Sequence, residues 1–340
     1  MALEAPTVRE AENRSGHYLG RIPILALMPH SRCNCRCLMC DIWKGNRQGT
    51  SLSQEVVARL SEELGTLGVE EVLLSGGEAM MHPDLWSLCA LLKAASVRIT
   101  LLSTGLLLAR QAEAVAGWCD EVIVSLDGPE PVHNDIRGID GAFAKMREGI
   151  AALRRIRPRF PISARSVVQK RNFRHMAATI AAAHALELDR LSFLAADLTS
   201  SAFNRPTAWD DAHAANVCPD LAESLELAQM LETLIQSHAK DFSSGFIAER
   251  PERLRRIGQY YLAVHGQTPF PPVRCNAPWV SSVVEADGTV RPCFFHEPIG
   301  NIHEGRLADI LNGERALAFR RDLDIASNPV CNRCVCTLNL

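Results

Sequence analysis

The sequence predicts an α/β fold, because short apolar runs alternate with helical patterns along the first two thirds of the chain. The runs are rich in Val, Ile and Leu, as expected for parallel strands that are buried on both faces. Six such runs lie at residues 22–28, 72–75, 99–103, 122–126, 162–168 and 191–195. Repeated strand–helix units form a parallel sheet, either doubly wound or curved into a full or partial barrel, with sites at the carboxyl ends of the strands. Periodicity alone does not choose between these architectures.

The clearest helical pattern follows the first strand. Ser51 and Gln54 have the spacing of a capping box, and Val56, Leu60 and Leu64 fall on one stripe. We therefore expect a helix that begins at Ser51 and packs this stripe against the sheet.

Composition limits the possible partners and compartment. The 340 residues include 36 basic and 39 acidic side chains, and this net charge of -3 predicts no nucleic-acid or anionic membrane partner. Run 22–28 is too short to span a membrane and follows a mixed-charge N-terminus unlike a signal peptide, so we expect a cytoplasmic protein. Twelve cysteines in a reducing compartment favour metal or redox sites over disulfides.

Three of these cysteines, Cys33, Cys37 and Cys40, have the spacing C-x-x-x-C-x-x-C. A cubane iron-sulfur cluster has four irons that each need a ligand, so three thiolates leave one iron open to a small molecule. Structural zinc is the competing interpretation, but it usually takes four ligands from two paired knuckles, and no second pair lies nearby.

Polar and glycine-rich segments follow the next strands of the pattern. Gly76, Gly77 and Glu78 come directly after the second strand, where glycines allow close approach of a ligand and a carboxylate can accept from an ammonium group. Ser103 and Thr104 end the third strand, and the fourth is followed by the run from Ser125 through Asp127 to Pro129.

Together these segments resemble the radical SAM enzymes, and the resemblance implies a partial (β/α)6 TIM-like barrel. It also implies that the open iron binds S-adenosylmethionine (SAM), whose cleavage gives a 5'-deoxyadenosyl radical. The implied SAM-binding residues are Gly76, Gly77, Glu78, Ser103, Thr104, Ser125, Asp127 and Arg165. Asp127 is equally interpreted as a turn-capping residue. The chain departs from the family pattern at Ala79, where proline is usual, and at Met39, where an aromatic residue is usual.

A second group of cysteines lies near the C-terminus. Between Cys275 and Cys293, residues 283–290 predict a β-hairpin with an Asp-Gly turn that brings these two cysteines together. Cys331 and Cys334 follow after a gap of 37 residues, and a four-thiolate zinc ribbon remains open on spacing alone.

The C-x12-G-x4-C spacing, the gap and the final C-x-x-C resemble the twitch and SPASM extensions of radical SAM proteins. Because the chain ends at Leu340, before the further cysteines of a full SPASM domain, we expect one auxiliary 4Fe-4S cluster, with Cys336 as a spare or substitute ligand. The predicted organisation is an N-terminal extension, a radical SAM core, a helical linker and an auxiliary-cluster domain with a small cysteine-rich β-hairpin/α extension. The N-terminal extension covers residues 1–20, the radical SAM core residues 21–235, the helical linker residues 236–270 and the auxiliary-cluster domain residues 271–340.

Four protein ligands leave no open iron, so the auxiliary cluster is expected to carry electrons and the reaction to be a net oxidation, like that of a dehydrogenase. The segment after the sixth strand supplies candidate bases, although a solvated loop is the simpler interpretation: Asp197, Arg205, Asp210 and Asp211. Among the other cysteines, Cys35 is interpreted as a bystander, Cys89 and Cys119 as core thiols, and Cys218 as a possible hydrogen donor.

Two substrate classes follow from the resemblance. Twitch relatives include an aminocyclitol dehydrogenase, and SPASM relatives include maturases of ribosomal peptides. Only 32 residues precede Cys33, too few for a fused peptide-recognition domain, so the sequence favours a small molecule such as a sugar or cyclitol over a peptide. A reductant such as flavodoxin or ferredoxin is the expected partner. A non-catalytic iron-sulfur or zinc scaffold is the alternative of another class, and it leaves the glycine and serine segments unexplained.

Overall fold

A computed structural model describes residues 16–205, 207–336, 338 and 340. The predicted N-terminal extension therefore lies outside the described residues as far as residue 15. The sheet in the described part of the chain has nine strands in the order β6-β5-β4-β3-β2-β1-β7-β8-β9.

The first six strands are parallel and follow one another in sequence order across the sheet. Their buried residues are mostly Val, Ile, Leu and Ala, because helices cover the strands of such sheets. All six predicted strands are present. Their bounds are β1 Ile24–Leu27, β2 Glu71–Leu74, β3 Arg98–Ser103, β4 Glu121–Ser125, β5 Ile162–Val168 and β6 Arg190–Ala195.

Helices connect these strands and follow the last of them. Those between strands are α1 Gln54–Leu64, α2 Leu85–Ala94, α3 Leu108–Trp118, α4 Glu130–Arg137, α5 Ala142–Ile156 and α6 Met176–Ala185. Those after β6 are α7 Asp211–Val217, α8 Leu221–Ser237, α9 Ala239–Ser243 and α10 Pro251–Val264. Tyr261 of α10 is fully buried, and its hydroxyl donates to the Val168 carbonyl, so this helix packs against the sheet.

The predicted start of α1 was wrong by two residues. Ser53 is the N-cap, and its hydroxyl accepts from the Val56 backbone N–H. Ser51 instead pairs with His30, whose Nδ1 lies 2.7 Å from the Ser51 hydroxyl oxygen. Propensity does not distinguish two serines two residues apart, and the long-range contact with His30 determines which one caps the helix.

The C-terminal region adds three strands to the same sheet: β7 Ser281–Val284, β8 Thr289–Arg291 and β9 Gly300–Asn301. The predicted hairpin is present, with Val284 opposite Val290. Strand β7 also pairs in parallel with β1, with Ile24 opposite Ser281. The auxiliary region is therefore continuous with the six-stranded sheet through backbone hydrogen bonds.

The C-terminal region also contains the short helices α11 Ala277–Val280, α12 Leu307–Leu311 and α13 Glu314–Asp322. Turns of 3-10 helix lie at Ile42–Gln48, Ala79–Met81, Phe173–His175 and Cys331–Arg333. In the described ranges no helix is long and apolar enough to cross a membrane.

Candidate active site

The three N-terminal cysteines lie together at the carboxyl ends of the strands. Cys33, Cys37 and Cys40 line a cavity of about 280 Å³ whose wall includes residues from the ends of β2 to β6. Because parallel strands present their carboxyl ends at one edge, residues far apart in sequence meet there. Met39, which occupies the position before the third cysteine, also lines this cavity.

Long-range contacts hold the cysteine loop in place. The Asn46 side chain accepts from the Cys33 N–H at 2.9 Å and donates to the Cys33 carbonyl at 2.8 Å. The Arg36 N–H donates to the Arg137 carbonyl at 2.9 Å, which ties the loop to the end of α4. The loop is therefore fixed by the surrounding protein.

The two glycines after β2 face both the cavity and the cysteine loop. Gly76 has φ +103°, a conformation that favours glycine, and both glycines line the cavity. A Cβ on Gly77 would overlap the Arg32 carbonyl, while the Glu78 N–H donates to that same carbonyl at 2.8 Å. The structure thus adds a reason for Gly77 that the sequence did not reveal, which is close approach of the cysteine loop itself.

Glu78 lies behind the cavity wall. Its carboxylate is fully buried and accepts from the Thr104 N–H at 2.7 Å, the Thr104 hydroxyl at 2.6 Å and the Ser103 hydroxyl at 3.1 Å. Burial raises the pKa of this carboxyl, although these hydrogen bonds oppose the shift. Glu78 therefore joins the end of β2 to the end of β3, and Ser103 and Thr104 themselves line the cavity.

The remaining predicted SAM-binding residues take different positions. Ser125 and Arg165 are paired across β4 and β5 and line the cavity. Asp127 is fully buried and is not among the lining residues. Its Oδ2 lies 2.5 Å from Nη2 of Arg137, and its Oδ1 accepts from the Val167 N–H at 3.1 Å.

Arg137 connects this buried carboxylate to the cysteine loop. Its Nη1 donates to the Cys37 sulfur at 3.5 Å, and it also lines the cavity. A hydrogen bond from Cys35 and the charge of Arg137 hold the pKa of the Cys37 thiol below its usual value despite burial. Asp127 therefore positions the cation that faces Cys37, a role that sequence reasoning missed for Arg137.

Two of the candidate bases form a buried ion pair. Nη1 of Arg205 lies 2.7 Å from Oδ2 of Asp197, and neither side chain is more than 3% exposed, so the solvated-loop interpretation was wrong for both. Arg205 also donates to the Met39 carbonyl at 3.2 Å and stacks on Trp209. This pair fixes the loop after β6 to the cysteine loop.

The other two candidate bases lie elsewhere. Asp210 caps α7 by accepting from the His213 N–H, and Asp211 is exposed on that helix. Neither lines the cysteine cavity.

The C-terminal cysteines surround a second cavity of about 180 Å³, which is lined by Cys275, Cys293, Cys331 and Cys334. His296, which the sequence did not single out, lies with its Nε2 3.1 Å from the Cys331 sulfur and packs edge-to-face on Phe319. Its position three residues after Cys293 was the available signal.

Two family profiles match the chain, and each covers one of the two groups of cysteines. The radical SAM superfamily matches residues 27–183, and the SPASM iron-sulfur cluster-binding domain matches residues 275–335. The chain therefore carries a radical SAM domain and, nearer its C-terminus, a SPASM domain. The predicted recognition of a radical SAM protein with a SPASM-like extension is thereby confirmed.

Some curated relatives of this radical SAM protein match less than half of the chain, and others match most of it. The chain is 28% identical over 151 residues to the AdoMet-dependent heme synthase of Methanosarcina barkeri, and the match covers 43% of this chain and 43% of that relative. It is 27% identical over 294 residues to the PqqA peptide cyclase of Ruegeria pomeroyi, covering 85% of this chain and 71% of the cyclase. It is 22% identical over 320 residues to the sporulation killing factor maturation protein SkfB of Bacillus subtilis, covering 90% and 69%.

Solved structures share the fold. SuiB of Streptococcus suis bound to S-adenosylmethionine matches with TM-score 0.67 and 14% identity over 96% of this chain and 75% of that one. SuiB bound to the precursor peptide SuiA matches with TM-score 0.66 and 13% identity, covering 96% and 73%. The predicted fold class, a partial TIM-like barrel with a C-terminal extension, is confirmed.

A radical SAM domain binds SAM and a 4Fe-4S cluster, and a SPASM domain binds auxiliary iron-sulfur clusters, so the predicted kinds of cofactor are confirmed. The donor sets fit such groups. Within the described ranges, no three His, Cys, Asp or Glu side chains are grouped as a single metal ion would require. A cubane spreads its thiolate ligands over separate irons, which suits cysteines placed around a cavity.

Burial also disfavours the ionised form of these thiols in the absence of metal. It raises the pKa of Cys33 and Cys40 to about 12, and that of Cys293 and Cys331 to about 12. A thiolate is the metal-binding form, so metal binding at these positions must release protons.

The isolated cysteines are distributed as follows. Cys89 and Cys119 are buried in the core, as predicted. Cys218 is buried beside His265, at 3.8 Å from its Nε2, and is not among the residues that line the cysteine cavity. Cys336 lines both cavities, so it lies at the junction of the two cysteine groups.

Proposed function

We propose that this radical SAM enzyme modifies a peptide substrate by abstracting a hydrogen atom and oxidising the resulting substrate radical. The main supporting observation is that the relatives matching over most of the chain, the PqqA peptide cyclase and the maturation protein SkfB, are named for peptide chemistry. The heme synthase matches less than half of the chain. The peptide is therefore preferred to the sugar or cyclitol favoured by the sequence.

A large adjoining cavity supports a substrate of peptide size. It has a volume of about 580 Å³ and shares Gly76, Gly77 and Phe203 with the wall of the cysteine cavity. Phe203 packs edge-to-face on Phe295 at 6.0 Å, and both rings line both cavities. An extended segment in the larger cavity would therefore reach the cysteines past an aromatic wall, with aromatic surfaces available for side-chain packing.

In this proposal Cys33, Cys37 and Cys40 hold the SAM-binding cluster. Gly76, Gly77, Ser103, Thr104, Ser125 and Arg165 form the SAM site, and Glu78 and Asp127 position it from behind. When bound, SAM and this cluster would supply a 5'-deoxyadenosyl radical for hydrogen abstraction. The buried cation Arg137 favours the ionised form of Cys37, because opposite charges stabilise each other strongly away from water.

Cys275, Cys293, Cys331 and Cys334 are proposed to hold an auxiliary 4Fe-4S cluster, which would supply an acceptor for one electron. His296 orients Cys331, and Cys336 lies between this site and the cysteine cavity. Asp197 is paired with Arg205, so it serves to fix the loop after β6 instead of acting as a free base. A flavodoxin- or ferredoxin-type protein is the proposed external reductant.

The generic radical reaction is tested first. The enzyme is reconstituted anaerobically with iron and sulfide, reduced with dithionite and mixed with SAM, and 5'-deoxyadenosine is quantified. The wild type is expected to form it and Cys37→Ala to form none above background. Absence of this product from fully reconstituted wild-type enzyme would reject the radical assignment.

The substrate class is tested with precursor peptides encoded near the gene, in parallel with a panel of sugars and cyclitols. Each peptide is incubated with the reduced enzyme and SAM and examined by mass spectrometry. A peptide mass lower by two hydrogens, formed together with 5'-deoxyadenosine, is the expected result. Oxidation of a cyclitol but of no peptide would favour the small-molecule alternative.

A further inference from the structure

A third cavity adjoins the active site and is lined by four arginines. It has a volume of about 230 Å³ and lies between the carboxyl-terminal half of β6, helix α10 and the C-terminal segment. It shares Arg165, Val335 and Cys336 with the wall of the cysteine cavity. A ligand group bound here would therefore belong to a molecule that also reaches the cysteines.

The charge of this arginine cavity is strongly unbalanced. Among the described residues, Arg165, Arg253, Arg256 and Arg333 line it together with the acidic residue Glu249 and the thiols of Cys334 and Cys336. Glu249 accepts from the Phe193 N–H at 2.9 Å, and burial raises the pKa of its carboxyl. Glu249 therefore supplies at most one negative charge against four positive ones.

Like charges are crowded on one face of α10. Arg253 and Arg256 are three residues apart and thus lie on the same side of the helix. Both residues also line the cavity. Holding two guanidinium groups close together in a partly buried cavity is unfavourable, and an anion between them would relieve the repulsion.

The arginines are also held in place. Arg256 donates to the Pro272 carbonyl, Arg165 donates to the Ser192 hydroxyl at 3.4 Å, and Arg333 lies over the Phe270 ring. A guanidinium has five N–H donors, and within the described residues Arg165 and Arg256 each use one of them in a hydrogen bond, so donors remain for a ligand. Guanidinium groups fixed in this way are suited to bind a carboxylate through paired hydrogen bonds.

We propose that the arginine cavity binds a carboxylate of the substrate peptide, either an acidic side chain or the C-terminal carboxylate, and so holds the adjacent residue toward the cysteine cavity. This inference rests on the proposed function. A carboxylate is preferred to phosphate because Glu249 would repel a dianion more strongly, and because apolar side chains such as Ile257 and Phe270 also line the cavity.

The test uses the reconstituted holoenzyme and small probes. Binding is measured by calorimetry for N-acetylglutamic acid α-amide, which has only the side-chain carboxylate, and for N-acetylalanine, which has only a C-terminal carboxylate. Neutral N-acetylglutamine amide and inorganic phosphate are the comparison probes. At least one carboxylate probe is expected to bind, and the neutral amide is not.

Variants locate the binding. Arg253→Ala and Arg256→Ala are each expected to weaken carboxylate binding by roughly tenfold or more, because charge-assisted hydrogen bonds are lost. Arg255→Ala is the matched control on the same helix, since Arg255 pairs with Glu232 outside the cavity and should bind as the wild type does. Arg256→Lys keeps the charge and tests whether the paired geometry matters.

A competing role for these arginines is to balance the charge of the C-terminal cysteine site, because Cys334 lines the same cavity. Iron and sulfide are therefore measured in every variant. Unchanged iron with lost carboxylate binding supports the subsite. Lost iron, equal binding in wild type and both alanine variants, or binding of phosphate alone overturns it.

The two proposals fail separately. If the wild type forms 5'-deoxyadenosine but binds no carboxylate probe, the subsite is rejected and the radical assignment stands. If a carboxylate binds in an arginine-dependent way but no 5'-deoxyadenosine forms, the anion site stands and its role in a radical reaction is rejected.

Discussion

The two cysteine sites differ in how the chain assembles them. Cys33, Cys37 and Cys40 lie in one loop, which is fastened by Asn46 and by the end of α4. The C-terminal cysteines are brought together from residues 275 to 334 across the three strands β7 to β9 and the three helices α11 to α13. A charged guanidinium faces the first site, whereas the imidazole of His296 faces the second. The first site is thus prepared by the barrel, while the second depends more on its metal for assembly.

The sharpest test of this difference removes one proposed ligand from each site. Cys40→Ala is expected to abolish 5'-deoxyadenosine formation, because a cluster held by two cysteines cannot present its open iron to SAM. Cys334→Ala is expected to keep SAM cleavage and lose peptide oxidation. Each variant should lose about four of about eight irons, measured colorimetrically. Equal loss of SAM cleavage in both would contradict separate roles.

The next effect concerns the buried ion pair behind the first site. Arg137→Met leaves the Asp127 carboxylate buried without its cation and is expected to lower the free energy of unfolding by about 3–5 kcal/mol. The measurement is urea unfolding followed by circular dichroism. The double variant Arg137→Met with Asp127→Leu should recover much of the loss, since no unpaired charge remains. Additive losses would show that the pair does not act as a unit.

Close packing of the glycine loop against the cysteine loop predicts a somewhat smaller effect. Gly77→Ala would place a methyl group against the Arg32 backbone, so the expected loss of stability is about 1–3 kcal/mol, with iron lost from the first site only. Thermal unfolding and iron content measure both. Gly117→Ala, in α3 with no atom within 4 Å of the added Cβ, is the matched control and should be neutral or stabilising.

Acid should weaken the fold around the first site through His133. This histidine is fully buried beside Asp127, and burial and Arg137 lower its pKa to about 4. In the unfolded chain this histidine takes up a proton as the pH falls below about 6.5, whereas in the folded protein it does so only near pH 4. The stability that His133 contributes above pH 6.5 is therefore lost between about pH 6.5 and pH 4.

The His133 contribution amounts to about 2 kcal/mol between pH 7 and pH 5. His133→Asn, which keeps a hydrogen-bond acceptor, should remove that part of the pH dependence when free energies of unfolding are compared with the wild type. An identical pH profile in the two proteins would show that His133 titrates normally in the fold.

The smallest expected effect is at the second site. His296→Leu removes the contact with the Cys331 sulfur and should shift the auxiliary cluster potential by roughly 50 mV, the one-electron equivalent of about 1 kcal/mol. Electron paramagnetic resonance during a redox titration measures the shift. His303→Leu, an exposed histidine near the hairpin turn, is the control. A loss of iron in His296→Leu would instead make His296 part of the metal-binding site.

Periodicity and motif spacing predicted much of this molecule. Each apolar run became a strand, because alternation of strand and helix is encoded locally. The cysteine spacings identified both cysteine groups, since ligand chemistry requires fixed residue types. The pairing of β1 with β7 was missed because residues 24 and 281 carry no local signal of each other.

The same limit explains what the sequence could not show at the site. The sequence treated Asp127 as a ligand or a turn cap, but the structure pairs it with Arg137, ten residues later on a helix. It treated Asp197 and Arg205 as solvated, although their mutual pairing makes burial possible. A charged side chain can be buried when an oppositely charged side chain lies beside it, and the tertiary structure determines which residue that is.

The pairing of β1 with β7 bears on how such proteins can be divided. Removal of everything from Ser281 onward would turn β1 into a free edge whose N–H and C=O groups could recruit a strand from another molecule. The barrel cut in this way would be prone to self-association through that edge, and it would also lose Val284, Val290 and Leu307 from the core. Exchange of auxiliary domains between relatives should therefore preserve a strand that matches Ile24–Leu27 in register, as well as the cysteines.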